Sequence, residues 1–163
     1  MKYSSHKYTF FIDTNRINAR KKCEHMNELE QLASDGKCSL IMPKCAWDES
    51  EAGPNIERKS KTWGYFHIGL DKNTSQRHWY REIESVVFPN GANTQNQIND
   101  IWILVTAREM GYPLVTNDGN SESQPGGILG HANLLKQLGV IVLRDEQAVR
   151  VVKKKLILDN LYS

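Results

Sequence analysis

The sequence has no long hydrophobic segment and few cysteines. No apolar run among its 163 residues approaches the roughly 20 that a membrane-spanning helix needs, so we expect no membrane association. Residues 1–7 lead into only five strand-like residues, and no signal peptide is visible. Cys23, Cys38 and Cys45 cannot all pair and show no CxxC spacing. Reduced thiols and a cytoplasmic location are therefore expected.

An excess of charge of one sign is also missing. The net charge of +2 is too small to indicate nucleic-acid binding by itself. Charged residues make up 25% and hydrophobic residues 39%, as is ordinary for a globular protein. There is no internal repeat and no low-complexity tract. A chain of this length predicts one domain, residues 1–163, with a sizeable hydrophobic core.

Residues 99–118 are the most informative part of the sequence. They predict a helix, a short turn and a buried strand. Asp100 shares a helix face with the apolar positions three, four and seven residues later. Gly111 is suited to end the helix, and residues 113–116 are typical of a short buried strand. Asp118 then lies just past that strand, where open α/β sheets place their ligands.

The rest of the chain predicts alternating strands and helices, which favours a parallel α/β sheet. Residues 55–97 predict two helices, about 56–63 and 75–87 with Ser75 as N-cap, and we expect this block to be a helical excursion above the sheet. Residues 119–127 predict a polar, glycine-rich, mobile loop. The further predicted strands are 8–12, 39–42 and 139–143, and the further predicted helices are about 26–34, 43–53, 131–138 and the segment from Asp145 onward.

Four acids would meet at the carboxyl edge of such a sheet. Two of them also have a purely structural interpretation, Asp13 as a helix cap and Asp118 as a turn residue. Together the four acids would repel one another unless a cation neutralised them. Oxygen ligands with little histidine or cysteine favour Mg²⁺ or Mn²⁺, which serve phosphoryl chemistry. These acids are Asp13, Glu49, Asp100 and Asp118.

Several other side chains admit a binding role beside a structural one. Thr116 and Asn15 would bind a metal-bound water or a phosphate, or else satisfy backbone groups. Basic residues after Asp13 would neutralise nucleic-acid phosphates or form a solvated face; they are Arg16, Arg20, Lys21 and Lys22. One predicted helix carries residues that would stack on unpaired bases or make core or dimer contacts; they are Arg77, Trp79, Tyr80 and Arg81.

The joint pattern resembles the PIN-domain family of metal-dependent ribonucleases. The segments that carry the resemblance are 10–15, 43–49, 100–107 and 114–118. The family implies a three-layer α/β/α fold with a central parallel sheet. It also implies Mg²⁺- or Mn²⁺-dependent RNA cleavage, with Asp13, Glu49, Asp100 and Asp118 as metal and catalytic residues. Many small bacterial members are toxins held inactive by a cognate antitoxin, as in the VapC toxins, and many dimerise.

Two features depart from that family, and two alternatives stay open. Asp48, Glu49 and Glu51 cluster, so the acid that faces the metal is inferred from register. The loop after Asp118 replaces the usual acidic and aromatic continuation, which leaves three alternatives for a fifth ligand, namely Asn117, Ser121 and Glu122. The alternative functions are a non-catalytic RNA- or protein-binding module with the same fold and a DNA-directed structure-specific nuclease.

Overall fold

A five-stranded parallel sheet forms the centre of the protein. The computed structural model describes residues 8–119, 122 and 125–161. The strand order is β3-β2-β1-β4-β5, and each neighbouring pair is parallel. The strands are β1 (Tyr8–Ile12), β2 (Cys38–Pro43), β3 (His67–Ile68), β4 (Leu114–Val115) and β5 (Val142–Leu143).

Helices cover the sheet and complete the predicted three-layer α/β/α fold, which is confirmed. The first helix and the last helix pack against each other, while the second, fourth and fifth form another packed group. The helices are α1 (Glu24–Ser34), α2 (Lys44–Ala52), α3 (Ile56–Thr62), α4 (Thr74–Val87), α5 (Gln95–Met110), α6 (Gly127–Gly130), α7 (Ala132–Gln137) and α8 (Asp145–Leu161). None of these described helices is long and apolar enough to cross a membrane. No disulfide joins the three cysteines.

Strand β1 lies in the middle of the sheet and is covered on both faces. Phe10, Phe11 and Ile12 are all 0% exposed. Successive side chains of a strand point to opposite faces, so three buried neighbours require a layer on each side. This is why the strand reads as a continuous apolar run, and it places the residue after Ile12 at the buried carboxyl edge of the sheet.

Helix α5 spans the predicted segment and is closed at both ends. Thr94 and Gln97 form a capping box at its start. Gly111 ends it in the left-handed conformation, with φ of 69°, which glycine adopts without a Cβ clash. Ile103 and Leu104 are fully buried on the face that Asp100 shares. The helix therefore holds Asp100 half-buried beside the core.

The block 55–97 is not wholly helical, which corrects one expectation. His67–Ile68 forms the edge strand β3, which pairs in parallel with Met42–Pro43. A two-residue strand has no periodicity that a sequence pattern could reveal. Helix α4 also begins earlier than predicted, because Asn73 and not Ser75 is its N-cap. Pro43 ends β2 and precedes α2 instead of opening its first turn.

Candidate metal centre

The structure brings the four predicted acids to one cavity of about 250 Å³. Asp13 follows β1 and Asp118 follows β4, and these two strands are direct neighbours in the sheet. Glu49 reaches the cavity from α2 and Asp100 from α5. The carboxyl ends of two parallel strands, together with helices α2 and α5, thus surround the same volume. The remaining lining residues are Thr14, Asn15, Arg58 and Asn96.

Asp13 is the most firmly oriented of the four. Its side chain is buried, with 4% of the residue exposed. The Thr14 backbone N–H donates to Oδ1 at 2.7 Å. The Thr116 hydroxyl and the Asn15 amide donate to Oδ2 at 2.7 and 2.9 Å. Thr116 and Asn15 therefore position this carboxylate, which is a structural role for both residues.

Burial raises the pKa of Asp13 to about 6. The hydrogen bonds from Thr116 and Thr14 oppose this rise because they stabilise the ionised form. The negative charges of Glu49 and Asp118 add to it. Asp13 is consequently ionised at neutral pH, although less readily than an exposed aspartate.

Asp100 has a less favourable environment for its charge. Burial, followed by the charges of Asp13, Asp118 and Glu49, raises its pKa to about 8. In the described part of the chain, no hydrogen bond or ion pair to its carboxyl group offsets this cost. Asp100 therefore retains a proton at neutral pH as long as no cation occupies the cavity.

The register of α2 singles out Glu49 from its acidic neighbours. Its Oε2 lies 3.2 Å from the Thr14 hydroxyl, which donates to it. Asp48 is exposed and pairs with Lys44 one turn earlier. Glu51 accepts a hydrogen bond from the Trp63 indole N–H at 2.5 Å. Only Glu49 of these three acids lines the cavity.

Asp118 is held by the turn that follows it. Its backbone N–H donates to the Thr116 hydroxyl oxygen at 3.1 Å. Its Oδ2 accepts from the Ile128 N–H at 3.0 Å, and its carbonyl accepts from the Leu129 N–H at 2.8 Å. Helix α6 therefore packs its first residues against Asp118, and Gly127, predicted to lie in the loop 119–127, belongs to that helix.

The alternatives for a fifth ligand have different outcomes. Asn117 is exposed. Its side-chain oxygen, Oδ1, accepts a hydrogen bond from an Arg144 guanidinium nitrogen at 3.4 Å. Glu122 is exposed. Neither residue lines the cavity. Ser121 lies outside the described residues.

Gly119 lets this turn close, and Gly119→Ala is expected to destabilise the protein and disturb Asp118. Its φ is +86°, and a Cβ added there would lie 1.9 Å from the carbonyl oxygen of Gly126. The backbone must move to relieve such a contact, at a cost of about 1–3 kcal/mol. Thermal unfolding should show a lower Tm, with a matched loss of any activity at the cavity. Gly53→Ala, whose Cβ would make only ordinary contacts of 3.5 Å or more, is the control. An unchanged Tm for Gly119→Ala would contradict the prediction.

Three residues that line the cavity were not predicted, and the first of them is Thr14, which directly follows Asp13. Asn96 precedes Asp100 by one helical turn, so the spacing of four residues could have revealed it. Arg58 comes from α3, and nothing in the sequence relates it to the acids. Of the basic residues after Asp13, Arg16 is committed elsewhere, since it pairs with Asp145 at 3.1 Å and both side chains are largely buried.

The chemistry of the lining suits a hard divalent cation. The cavity presents four carboxylates, a hydroxyl, two amides and the Arg58 guanidinium, with no histidine or cysteine. Among the residues of the described ranges, no group of three or more acids, histidines or cysteines converges closely enough to hold a metal ion as it stands. Mg²⁺ commonly keeps several water ligands and binds through one or two carboxylates. Four carboxylates around a cavity of about 250 Å³ are therefore compatible with Mg²⁺ or Mn²⁺ that keeps water ligands.

Comparisons with known proteins support the fold and not a closer relationship. No protein-family model matches the sequence, and no curated protein shows significant similarity to it. Among solved structures, the protein is similar to a chain in the crystal structure of VapBC2 from Rickettsia felis bound to a DNA fragment from their promoter. The TM-score is 0.52 at 18% identity, over 83% of this chain and 98% of the other. Taken with the sheet order and the acid-lined edge, this likeness shows that the chain has the PIN-like fold that its sequence resembles.

Proposed function

We propose that the protein is a Mg²⁺- or Mn²⁺-dependent endoribonuclease that hydrolyses RNA phosphodiester bonds at the four-acid cavity. The observation that carries this proposal is the convergence of Asp13, Glu49, Asp100 and Asp118 on one cavity. A protein gains no stability from placing four carboxylates together, because burial and mutual repulsion oppose their ionisation. Arg58 brings one positive charge to the cavity, and a divalent cation would supply the rest of the compensating charge.

The side chains have separate roles in this proposal. When bound, the metal ion would activate or orient water and stabilise charge on the attacked phosphate and the leaving oxygen. Asp13, Asp100 and Asp118 would hold the ion directly or through water. Glu49, which the Thr14 hydroxyl orients, would bind the ion or orient the attacking water. Because donors engage both oxygens of Asp13, its position changes little when the cavity is filled.

We further propose that the enzyme is the toxin of a toxin–antitoxin pair, with a cognate antitoxin as its protein partner. The support is the shared fold with the VapBC2 complex. A homodimer and a cytoplasmic location belong to the same proposal. Expression of the wild-type protein alone should then arrest growth, and co-expression of a cognate antitoxin from a neighbouring reading frame should restore it. Unaffected growth would remove the toxin proposal without affecting the nuclease.

The decisive experiment compares RNA cleavage by paired variants. A mixed pool of single-stranded and structured RNA is incubated with Mg²⁺, Mn²⁺ or EDTA, beside the same set of DNA substrates. Cleavage should require the metal and fall about 10²–10³-fold in Glu49→Gln, the range found when one charge-stabilising group is removed. Gln retains an oxygen that can accept from Thr14, so the fold should persist.

Asp48→Asn is the matched control, because it alters the next residue of the same helix. Its exposed ion pair with Lys44 contributes about 0–1 kcal/mol, and activity should not change. RNA binding without cleavage would favour the non-catalytic module. Cleavage confined to DNA would favour the structure-specific nuclease.

A further inference from the structure

A second cavity, of about 240 Å³, adjoins the acid cavity and has the opposite charge. Arg58 lines both cavities and forms the boundary between them. We refer to the second one as the basic cavity. Its cations are Arg20, Lys22 and Arg58, and no acidic side chain belongs to its lining. The acids near these cations lie outside the basic cavity, since Arg58 faces the four carboxylates of the acid cavity and Arg20 pairs with Glu57.

The cations of the basic cavity are available for a ligand. Within the described residues, neither the half-buried Arg58 guanidinium nor the exposed Lys22 ammonium group has an ion pair or a hydrogen bond. Arg20 pairs with Glu57 at 2.9 Å, but both side chains are about 60% exposed. Such an exposed pair is weak and can be exchanged for another anion.

The wall that carries Lys22 is structurally well defined. Residues 18–23 form a turn that the side chain of Asn18, which is 4% exposed, stabilises by hydrogen bonds. Its Oδ1 accepts from the Cys23 N–H at 3.1 Å, and its Nδ2 donates to Asn27 Oδ1 at 2.8 Å. Lys61 donates to the Asn18 carbonyl oxygen at 2.8 Å. These hydrogen bonds fix the backbone that carries Lys22. Binding of an anion by Lys22 therefore does not require ordering of the whole segment.

We propose that the basic cavity binds the backbone phosphate of the nucleotide adjacent to the cleavage site, and that Arg58 bridges this phosphate and the one in the acid cavity. The inference rests on the proposed function, since it takes the acid cavity as the place of cleavage. Guanidinium and ammonium groups are the usual partners of nucleic-acid phosphates. The substrate class that follows is a single-stranded RNA whose backbone passes from one cavity to the other.

A competing surface on α4 is less suited to this role. It combines Arg77 and Arg81 with Tyr80 and Trp102 around a cavity of about 270 Å³. The rings of Tyr80 and Trp102 already pack on each other, with centroids 4.9 Å apart. Lys72 also lies over the Trp102 ring at 4.8 Å. These contacts take up aromatic surface that a base would need for stacking.

The proposal is tested by binding without cleavage. Fluorescence anisotropy with labelled oligoribonucleotides of two, four and six residues is measured with the Asp100→Asn protein in Mg²⁺. Affinity should rise between the dinucleotide and the tetranucleotide, because the longer strand supplies a phosphate to the basic cavity. In that background Lys22→Ala and Arg58→Gln should each weaken hexanucleotide binding about 3–10-fold. Each should also make the salt dependence shallower, by about 0.7 in the log–log slope for one lost charge on a single strand.

Arg77→Ala is the control and also tests the competing surface. Unchanged binding in Arg77→Ala, with a loss in Lys22→Ala, supports the basic cavity. If Arg77→Ala weakens binding and Lys22→Ala leaves binding unchanged, the proposal for the basic cavity is wrong, whatever the nuclease assay shows. Lys22 is exposed, so its replacement should not impair folding. If no RNA is cleaved and the basic-cavity variants still weaken binding, the phosphate site stands and the nuclease proposal fails.

Discussion

Asp100→Asn is expected to abolish metal-dependent RNA cleavage and to stabilise the metal-free protein. The change removes one of the four carboxylates and keeps the shape of the side chain. We expect activity to fall about 10²–10³-fold in the RNA assay with Mg²⁺ or Mn²⁺. Asp48→Asn, at an exposed acid outside the cavity, should retain full activity. An active Asp100→Asn protein would remove this residue from the metal site.

The gain in stability has a defined dependence on pH. In the folded protein the pKa of Asp100 is raised from its ordinary value of 3.8 to about 8, so the folded state keeps a proton that the unfolded state loses. The stability of the wild type relative to Asp100→Asn therefore falls as pH rises from about 4 to about 8, and is constant above. Thermal unfolding in EDTA should show a small difference in Tm at pH 4. At pH 8 the Tm of the variant should be higher by about 10–20 °C, because a rise in pKa from 3.8 to about 8 corresponds to about 5–6 kcal/mol and each 1 kcal/mol shifts Tm by about 2–4 °C at this size.

A Tm difference that does not grow between pH 4 and pH 8 would contradict this account of Asp100. It would mean that the charge repulsion among the four carboxylates is relieved by other groups. Asp48→Asn provides the baseline, because it alters an acid by the same chemistry outside the cavity. The pH dependence of its Tm should follow that of the wild type.

Divalent cations are expected to stabilise the wild-type protein, and to do so more strongly at pH 8 than at pH 5.5. A ligand present at a hundred times its Kd stabilises the folded state by about 2.7 kcal/mol, which corresponds to about 5–10 °C in Tm here. Protons compete with the metal ion for Asp13 and Asp100, whose pKa values are about 6 and about 8. Thermal unfolding with and without Mn²⁺ at the two pH values measures the effect.

Variants separate specific binding from a general effect of salt. The rise in Tm with Mn²⁺ should be much reduced in Asp100→Asn and unchanged in Asp48→Asn. An equal concentration of a monovalent salt should not reproduce it. Equal stabilisation at both pH values, or in both variants, would show that the ion does not bind at the four carboxylates.

The central strand and the α5–β4 unit follow from local sequence. Three successive apolar residues in β1 require cover on both faces, and β1 lies at the centre of the sheet. Thr94, Gln97 and Gly111 define the ends of α5 by capping interactions within a few residues. The α/β class and the positions of Asp13, Asp100 and Asp118 next to these elements follow from interactions of the same short range.

Long-range packing determined the remaining parts of the site. Strand β3 exists because its two residues pair with β2, and its sequence carries no signal of that pairing. Arg58 reaches the acid cavity because α3 packs on α2. The sequence does not distinguish Arg16 from the basic residues that follow it. The fold does, because it pairs Arg16 with Asp145, 129 positions later in the chain.

Apart from β3 and α6, the sequence by itself determined the order of strands and helices and the acids that end or flank them, because hydrophobic periodicity and capping act over one or two turns of chain. The tertiary structure placed Glu49, the acid inferred from register, in the cavity. Only the tertiary structure decided how far burial and mutual repulsion raise the pKa of Asp13 and Asp100, and which cations border them. Those properties depend on distances between residues that are far apart in the chain. Electrostatic and desolvation energies are set by such distances, and a sequence pattern does not contain them.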